Sequence, residues 1–428
     1  MTTLMTEIVV VWLFAILAGV PLFAAMGLAA FAFVGFGGLS LSIVPQKMTQ
    51  AMNSFPIVAA PLFVLMGNIL AAARINEKII GFATSIVGWL RGGYAHASIV
   101  ASTIFAGMVG SAVADAAGVG AIEIKSMRRV GYRPETAAAI TAAAATIGPI
   151  IPPSLPMVIY GVTADASIGR LFMAGFIPGL LMAVSLMVMV GFIAKRQNLP
   201  AHPFGGFGLI LKTFIDGFWA LLAPVILLGG MFSGLFTPTE AAAVATCYAL
   251  ILGFFVYRTL ELKMLPEILI ESAETTGIVM VLVMAAAALG WCMSISRIPQ
   301  TLTPMVVETI RHPVVFLLAC NLVLLVVGCF MEALAALLIL IPIMVPAALK
   351  FGIDPVQFGV IMILNLILGT IHPPIGVVLF VTARIADISF EKMSRAILPW
   401  LVPLLAVLLA ITLWPPLTLW LPNVLTGR

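Results

Sequence analysis

Charge is what this sequence has least of: only 9% of its 428 residues are Asp, Glu, Lys or Arg, where a soluble domain carries about 25%. That excludes a water-soluble globular fold for most of the chain. Polar–apolar alternation is missing too, and a membrane β-barrel needs short alternating strands with a polar lumen face. The α-helix remains as the way to satisfy every backbone group in lipid. No Lys or Arg precedes the first apolar run, so the leader Met1 to Thr6 predicts a retained first helix rather than a cleaved signal peptide. Cys247, Cys292, Cys320 and Cys329 sit in apolar runs without metal-ligand spacing and read as small core residues. No Walker loop, dinucleotide fingerprint, H-E-x-x-H or Ser/His/Asp set is visible. The net charge of +4 follows from basic residues placed by membrane topology and does not point to nucleic acid.

What is abundant is apolar surface: 62% of residues are hydrophobic and the mean hydropathy is +1.21. Uncharged runs at 48–73, 92–114, 136–164, 171–194, 217–239, 275–296, 355–383 and 396–427 exceed the roughly 20 residues that cross a bilayer as a helix. The expected fold is an all-α polytopic membrane protein. The run 8–46 allows one bent span or two short ones, because Pro21 and the glycines at 35, 37 and 38 interrupt it.

The basic residues orient the chain. Lys125, Arg128, Arg129 and Arg133 form the densest cluster, and Lys195 with Arg196, then Arg258 with Lys263, follow after pairs of spanning-length runs. All are predicted to be cytoplasmic. Arg74, Lys78 and Arg91 fall on the same side, so residues 92–124 start and end there. Two arms within that length reach about 25 Å or less, which predicts a re-entrant hairpin with its tip near Gly107-Met108-Val109-Gly110-Ser111. By the same count residues 312–350 start and end outside, and 355–383 return to Arg384, Lys392 and Arg395.

The two halves are duplicates. At a constant offset of 221 residues, Gly107 matches Gly328, Gly131 matches Gly352, Pro134 matches Pro355, Gly148 matches Gly369, and Pro152-Pro153 match Pro373-Pro374. The charge count places the copies in opposite senses, an inverted repeat of the kind alternating-access carriers use. Each Pro-Pro pair falls inside a spanning run (136–160 and 355–383). Adjacent prolines remove two helical hydrogen bonds, so each run is expected to be two half-helices with an unwound joint. Non-helical backbone at membrane depth is tolerated where it is buried in protein or lines a wet cavity. The joints are therefore the expected binding sites for a small cation and an anionic group.

The sequence at this point resembles the large membrane subunit of the tripartite ATP-independent periplasmic transporters, the DctM-like family. The likeness rests on GSAVADAAGVGAIEI at 110–124, ETAAAITAAAATIGPIIPPS at 135–154, GLFTPTEAAAVA at 234–245 and NLILGTIHPPIG at 365–376, and it covers essentially the whole chain. Lys125 after GAIEI and His372 inside the second joint depart from the pattern. The resemblance implies an elevator-type, Na⁺-driven importer in the bacterial inner membrane. It further implies a separate small membrane subunit, a periplasmic binding protein, and an organic acid such as a C4-dicarboxylate, sialic acid or another sugar acid as cargo. On that basis residues 1–91 and 201–311 are expected to be scaffold, and 92–200 and 312–428 to carry the transport elements. A passive channel and an intramembrane enzyme are the competing classes, disfavoured by the inverted repeat and by the scarcity of catalytic residues.

The candidate site residues follow from the hairpin tips and joints. Gly110, Ser111 and Asp115 lie at and after the first tip, and Ser111 and Asp115, four apart on a helix, are expected on one face. Thr146, Gly148, Pro149, Pro152 and Pro153 form the first joint; Asn365, Gly369, Thr370, Pro373 and Pro374 form the second. Glu332 stands just after the second tip, either in the site or paired with a helix terminus or a buried Arg. Na⁺ is assigned to Ser111, Asp115, Gly148, Gly369 and Thr370, with backbone carbonyls as main ligands. Thr237, Thr239 and Glu240 read either as site groups or as a helix cap of the Thr-x-x-Glu kind.

Overall fold

The computed structural model describes residues 2–427 apart from Gly110, Pro200 and His202, and the regular structure among them is helical. Among the described residues, eight helices are long and apolar enough to cross a membrane. The ambiguous first run resolves into two short helices, Thr2–Leu17 and Leu22–Phe36, packed against one another. The turn between them uses Gly19 at a positive φ of 85°, which glycine adopts without steric cost. Large side chains such as Phe14, Phe192, Phe207, Phe255, Leu322 and Val402 are exposed on the outside of the molecule, where lipid tails would meet them. Cys292, Cys320 and Cys329 are buried, but Cys247 is exposed, a correction to the reading of all four as core. Hydropathy does not separate a lipid-facing position from an inward one.

The duplicated residues have structural reasons. Gly131 and Gly352 both hold positive φ (94° and 73°), and three residues after each glycine a helix begins on a proline: Pro134–Ala145 and Pro355–Gly369. Proline at the first helical position loses no hydrogen bond. Every residue from Thr136 to Ala145 and from Val356 to Gly369 is buried, as expected of helices apolar on all sides. These two helices form the centre of the molecule.

Around them the chain breaks where the proline pairs fall. Pro134–Ala145 and Leu155–Thr163 are separated by non-helical residues 146–154, and Pro355–Gly369 and Val377–Ala386 by 370–376. Both Pro-Pro peptide bonds are cis. The first hairpin segment comprises Gly93–Val109, Ala112–Ala117 and Val119–Arg129, ending five residues beyond the expected 124. The second comprises Pro313–Phe330 and Ala333–Lys350. Val377–Ala386 packs on Ala112–Ala117, and Leu155–Thr163 packs on Ala333–Lys350. Each half-helix after a joint therefore rests on the hairpin of the other repeat.

Two short helices, Ile75–Val87 and Ile298–Ile310, are each entered through an arginine in left-handed conformation, Arg74 and Arg297. The Thr237 motif is a complete capping box on Pro238–Ile251: Thr237 N–H donates to Glu240 Oε2 at 2.8 Å, and Glu240 N–H donates to Thr237 Oγ1 at 3.3 Å. Thr237→Ala should lower the thermal unfolding midpoint by roughly 2–4 °C and leave uptake per folded molecule unchanged. A loss of uptake without a loss of stability would instead place Thr237 in the transport site.

Candidate cation and substrate site

The first joint is built around a carboxylate. Asp115 is 6% exposed, and its Oδ2 faces the joint: a Cβ added to Gly148 would lie 4.0 Å from it. Asp115 Oδ1 has no hydrogen-bond partner among the described residues. Ser111 is not on the same helical face, correcting the sequence expectation; it is the extended N-cap of Ala112–Ala117, its hydroxyl 3.5 Å from the Ala114 N–H. Gly110 lies outside the described residues. Within the joint, Ser154 donates to the Pro149 carbonyl at 2.5 Å and caps Leu155–Thr163. Thr146 donates its hydroxyl to Ala143 O at 2.6 Å. Pro152 and Pro153 are buried.

The second joint is built around backbone contact. Gly369 meets Gly328 so closely that a Cβ on Gly369 would lie 2.5 Å from the Gly328 Cα and carbonyl carbon. Gly376 N–H donates to the Cys329 carbonyl at 3.2 Å and Val378 N–H to the Thr370 carbonyl at 3.0 Å, tying the hairpin end to the unwound segment. Thr370 donates its hydroxyl to Ile367 O at 2.6 Å. His372 Nδ1 lies 2.5 Å from the Pro373 carbonyl and 3.4 Å from Cys329 Sγ. Pro374 is exposed and Pro373 half-buried, so this joint is more open than the first.

Glu332 does not meet either joint through a hydrogen bond; it caps Ala333–Lys350, accepting from Leu334 and Ala335 N–H at 2.9 and 3.2 Å. Asn365 is fully buried in a polar chain, its Nδ2 donating to Asn321 Oδ1 at 2.6 Å while Asn321 Nδ2 donates to Thr412 at 3.0 Å. Asn365 Oδ1 has no partner. Sequence reasoning missed Asn321 and Thr412, as it missed Ser98, which donates to the buried Glu123 Oε2 at 2.5 Å. Asn321, alone among Leu and Val, and Glu123, inside a quoted motif, were the available signals. It also missed the tie between the two repeats, where Arg170 Nη2 lies 3.5 Å from Asp354 and 3.0 Å from Asn423.

Neither Asp115 nor Glu123 has an ion pair among the described residues, where Arg170–Asp354, Lys263–Glu261 and Arg395–Glu391 are the salt bridges. Among the described residues there is also no group of three or more His, Cys, Asp or Glu placed to hold a metal ion. Backbone carbonyls and carboxylate oxygens, the groups that meet at this joint, are hard donors of the kind a small s-block cation prefers.

A multi-pass helical protein with two interrupted helices, each braced by a hairpin and carrying unpaired oxygens, is a membrane transporter rather than an enzyme. The chain belongs to the tripartite ATP-independent periplasmic transporters as a DctM component, a family whose description matches residues 9–417. It is 45% identical over 417 residues to the sialic acid TRAP transporter large permease protein SiaM of Vibrio cholerae, covering 97% of this chain and 98% of that one. It is 40% identical to the C4-dicarboxylate TRAP transporter large permease protein DctM of Pseudomonas aeruginosa, covering 88% of each. The isethionate TRAP transporter permease protein DctMQ of Oleidesulfovibrio alaskensis is 41% identical, over 94% of this chain and 63% of its own length. Among solved structures, the YdaH transporter of Alcanivorax borkumensis shares the fold, with a TM-score of 0.65 over 88% of each chain at 13% identity.

Proposed function

We propose that this chain is the large permease of a Na⁺-coupled importer in the bacterial inner membrane, which takes an organic acid from a periplasmic binding protein by an elevator-type movement. The observation that carries this reading is the Asp115 carboxylate, buried against the first joint with one oxygen unpartnered. A buried charge without a counter-charge costs several kcal/mol, and a coupling ion from the periplasm balances it. The second ion sits among carbonyls near Gly328, Gly369 and Thr370, where the close contact of two glycines brings backbone rather than side chains together.

The two halves run in opposite directions through the membrane. Length alone would let Pro313–Phe330 and Ala333–Lys350 cross fully. The contact of Gly328 with Gly369 argues otherwise, since Gly369 lies mid-way along a run that crosses once. A hairpin whose tip packs on a mid-depth joint is re-entrant. The hairpins and broken helices form the moving unit, and Ala59–Ala72, Gly206–Phe232, Pro238–Ile251 and Leu265–Ile295 form the scaffold. A small membrane subunit completes the scaffold, a reading supported by the tripartite family and by a relative named DctMQ of which this chain covers 63%.

Reconstitution tests the reading. Proteoliposomes with both membrane subunits should accumulate sialic acid or a C4-dicarboxylate when the binding protein and an inward Na⁺ gradient are both supplied. Uptake that persists without Na⁺, or without the binding protein, contradicts it.

A further inference from the structure

One sizeable cavity lies away from the joints. It holds about 830 Å³ and lies between the scaffold and the moving unit, walled by Gln50 and Ser54, by Ser294 and Gln300, and by Leu338 to Lys350 of the second hairpin. That volume lies within the range of small-molecule sites. By the orientation set by the basic residues, Lys350, Ser54 and Gln300 are all at the periplasmic end. The lining includes no carboxylate, and its single charged side chain is Lys350.

Its other polar groups are uncharged. Gln50, Ser54, Thr163, Ser294, Gln300 and Thr303 contribute amides and hydroxyls. Helical prolines add a second set: Pro342, Pro346 and Pro304 have no N–H, so the carbonyls of Leu338, Pro342 and Gln300, four residues earlier, lose their helical donor. All three of those residues line the cavity. Prolines in membrane helices are tolerated where freed carbonyls find water or another donor, and here two helices packed on each other both free carbonyls at residues that line this cavity.

We propose that this cavity is the outer chamber that receives cargo, and that its chemistry selects an acid with one carboxylate and several hydroxyls, a sugar acid, over a C4-dicarboxylate. The carboxylate pairs with Lys350, and the hydroxyls donate to the freed carbonyls and amides. A dicarboxylate brings a second negative charge to a chamber that holds one cation and many acceptors, and that charge goes unpaired. The proposal deepens the carrier reading and rests on it.

Thiol labelling in intact cells carrying both membrane subunits tests it without assuming the substrate. Ser294→Cys and Ala287→Cys, about two helical turns apart on one helix, are introduced with Cys247→Ser and treated from outside with an anionic and a cationic methanethiosulfonate. Both cysteines should react, the anionic reagent about 3- to 10-fold faster than the cationic one relative to free thiol, and Lys350→Gln should remove that bias while Lys350→Arg keeps it. Millimolar sialic acid should slow labelling of Ala287→Cys; succinate at equal concentration should not. Failure of the reagents to reach Ala287→Cys, or a bias unchanged by Lys350→Gln, overturns the chamber. Protection by succinate, or none by sialic acid, overturns the sugar-acid preference. If the cysteine variants label as expected but the wild type shows no Na⁺-driven uptake, the carrier reading fails and the chamber stands.

Discussion

Asp115→Asn is expected to cut Na⁺-driven uptake by about 10- to 100-fold, with normal amounts of protein in the membrane. The substitution keeps the volume and removes the charge. A ligand contact to an ionised group contributes about 1.5–3 kcal/mol, and each 1.4 kcal/mol is about tenfold in affinity. A second readout separates ion binding from packing. Na⁺ binding to the folded state raises the thermal unfolding midpoint of the wild type in proportion to occupancy, and this Na⁺-dependent gain should shrink in Asp115→Asn. Because Oδ1 has no partner among the described residues, the variant loses no internal hydrogen bond at that atom, and because it removes an uncompensated buried charge it should melt at or above the wild type without Na⁺. An Asp115→Asn protein that keeps both its uptake and its Na⁺-dependent stabilisation would remove Asp115 from the cation site.

Gly369→Ala should lower uptake at least as far, for a steric reason. The added Cβ would lie 2.5 Å from the Gly328 backbone, and two backbones that close have no flexible side chain to move aside. Overpacking of this kind costs about 1–3 kcal/mol, which the structure can relieve by separating the hairpin from the joint. That separation displaces the carbonyls proposed to hold the second ion. Gly277→Ala is the matched control, because a Cβ there meets nothing within 4 Å and alanine favours a helix by up to about 1 kcal/mol. Uptake and thermal midpoint measured side by side should show Gly277→Ala at or above wild type and Gly369→Ala well below it. Equal behaviour of the two variants would mean the glycine contact is not used in transport.

The legible parts of the site were those with local chemical causes. Pro152-Pro153 and Pro373-Pro374 announce broken helices because the lost N–H groups are a property of the residues themselves. Thr237-Pro-Thr-Glu announces a cap for the same reason, and the structure closes that box. Ser111 misled because a hydroxyl four residues before a carboxylate reads as one helical face, whereas the helix starts only at Ala112. Glu332 carried two readings, and the hydrogen bonds to Leu334 and Ala335 give it the helix terminus.

The amino-acid sequence by itself determined the solvent this protein lives in, its helical class, and the duplication that puts one joint in each half. Run length, charge placement and proline chemistry act on neighbouring residues and need no fold to be read. Only the tertiary structure decided that Asp115 faces Gly148, that Gly328 closes on Gly369, that Ser98 pairs with Glu123, and that Cys247 points outward. The chamber around Lys350 belongs to the same group. Such contacts join segments tens to hundreds of residues apart, and they are set by how apolar helices of nearly uniform composition pack, which leaves no period or motif along the chain.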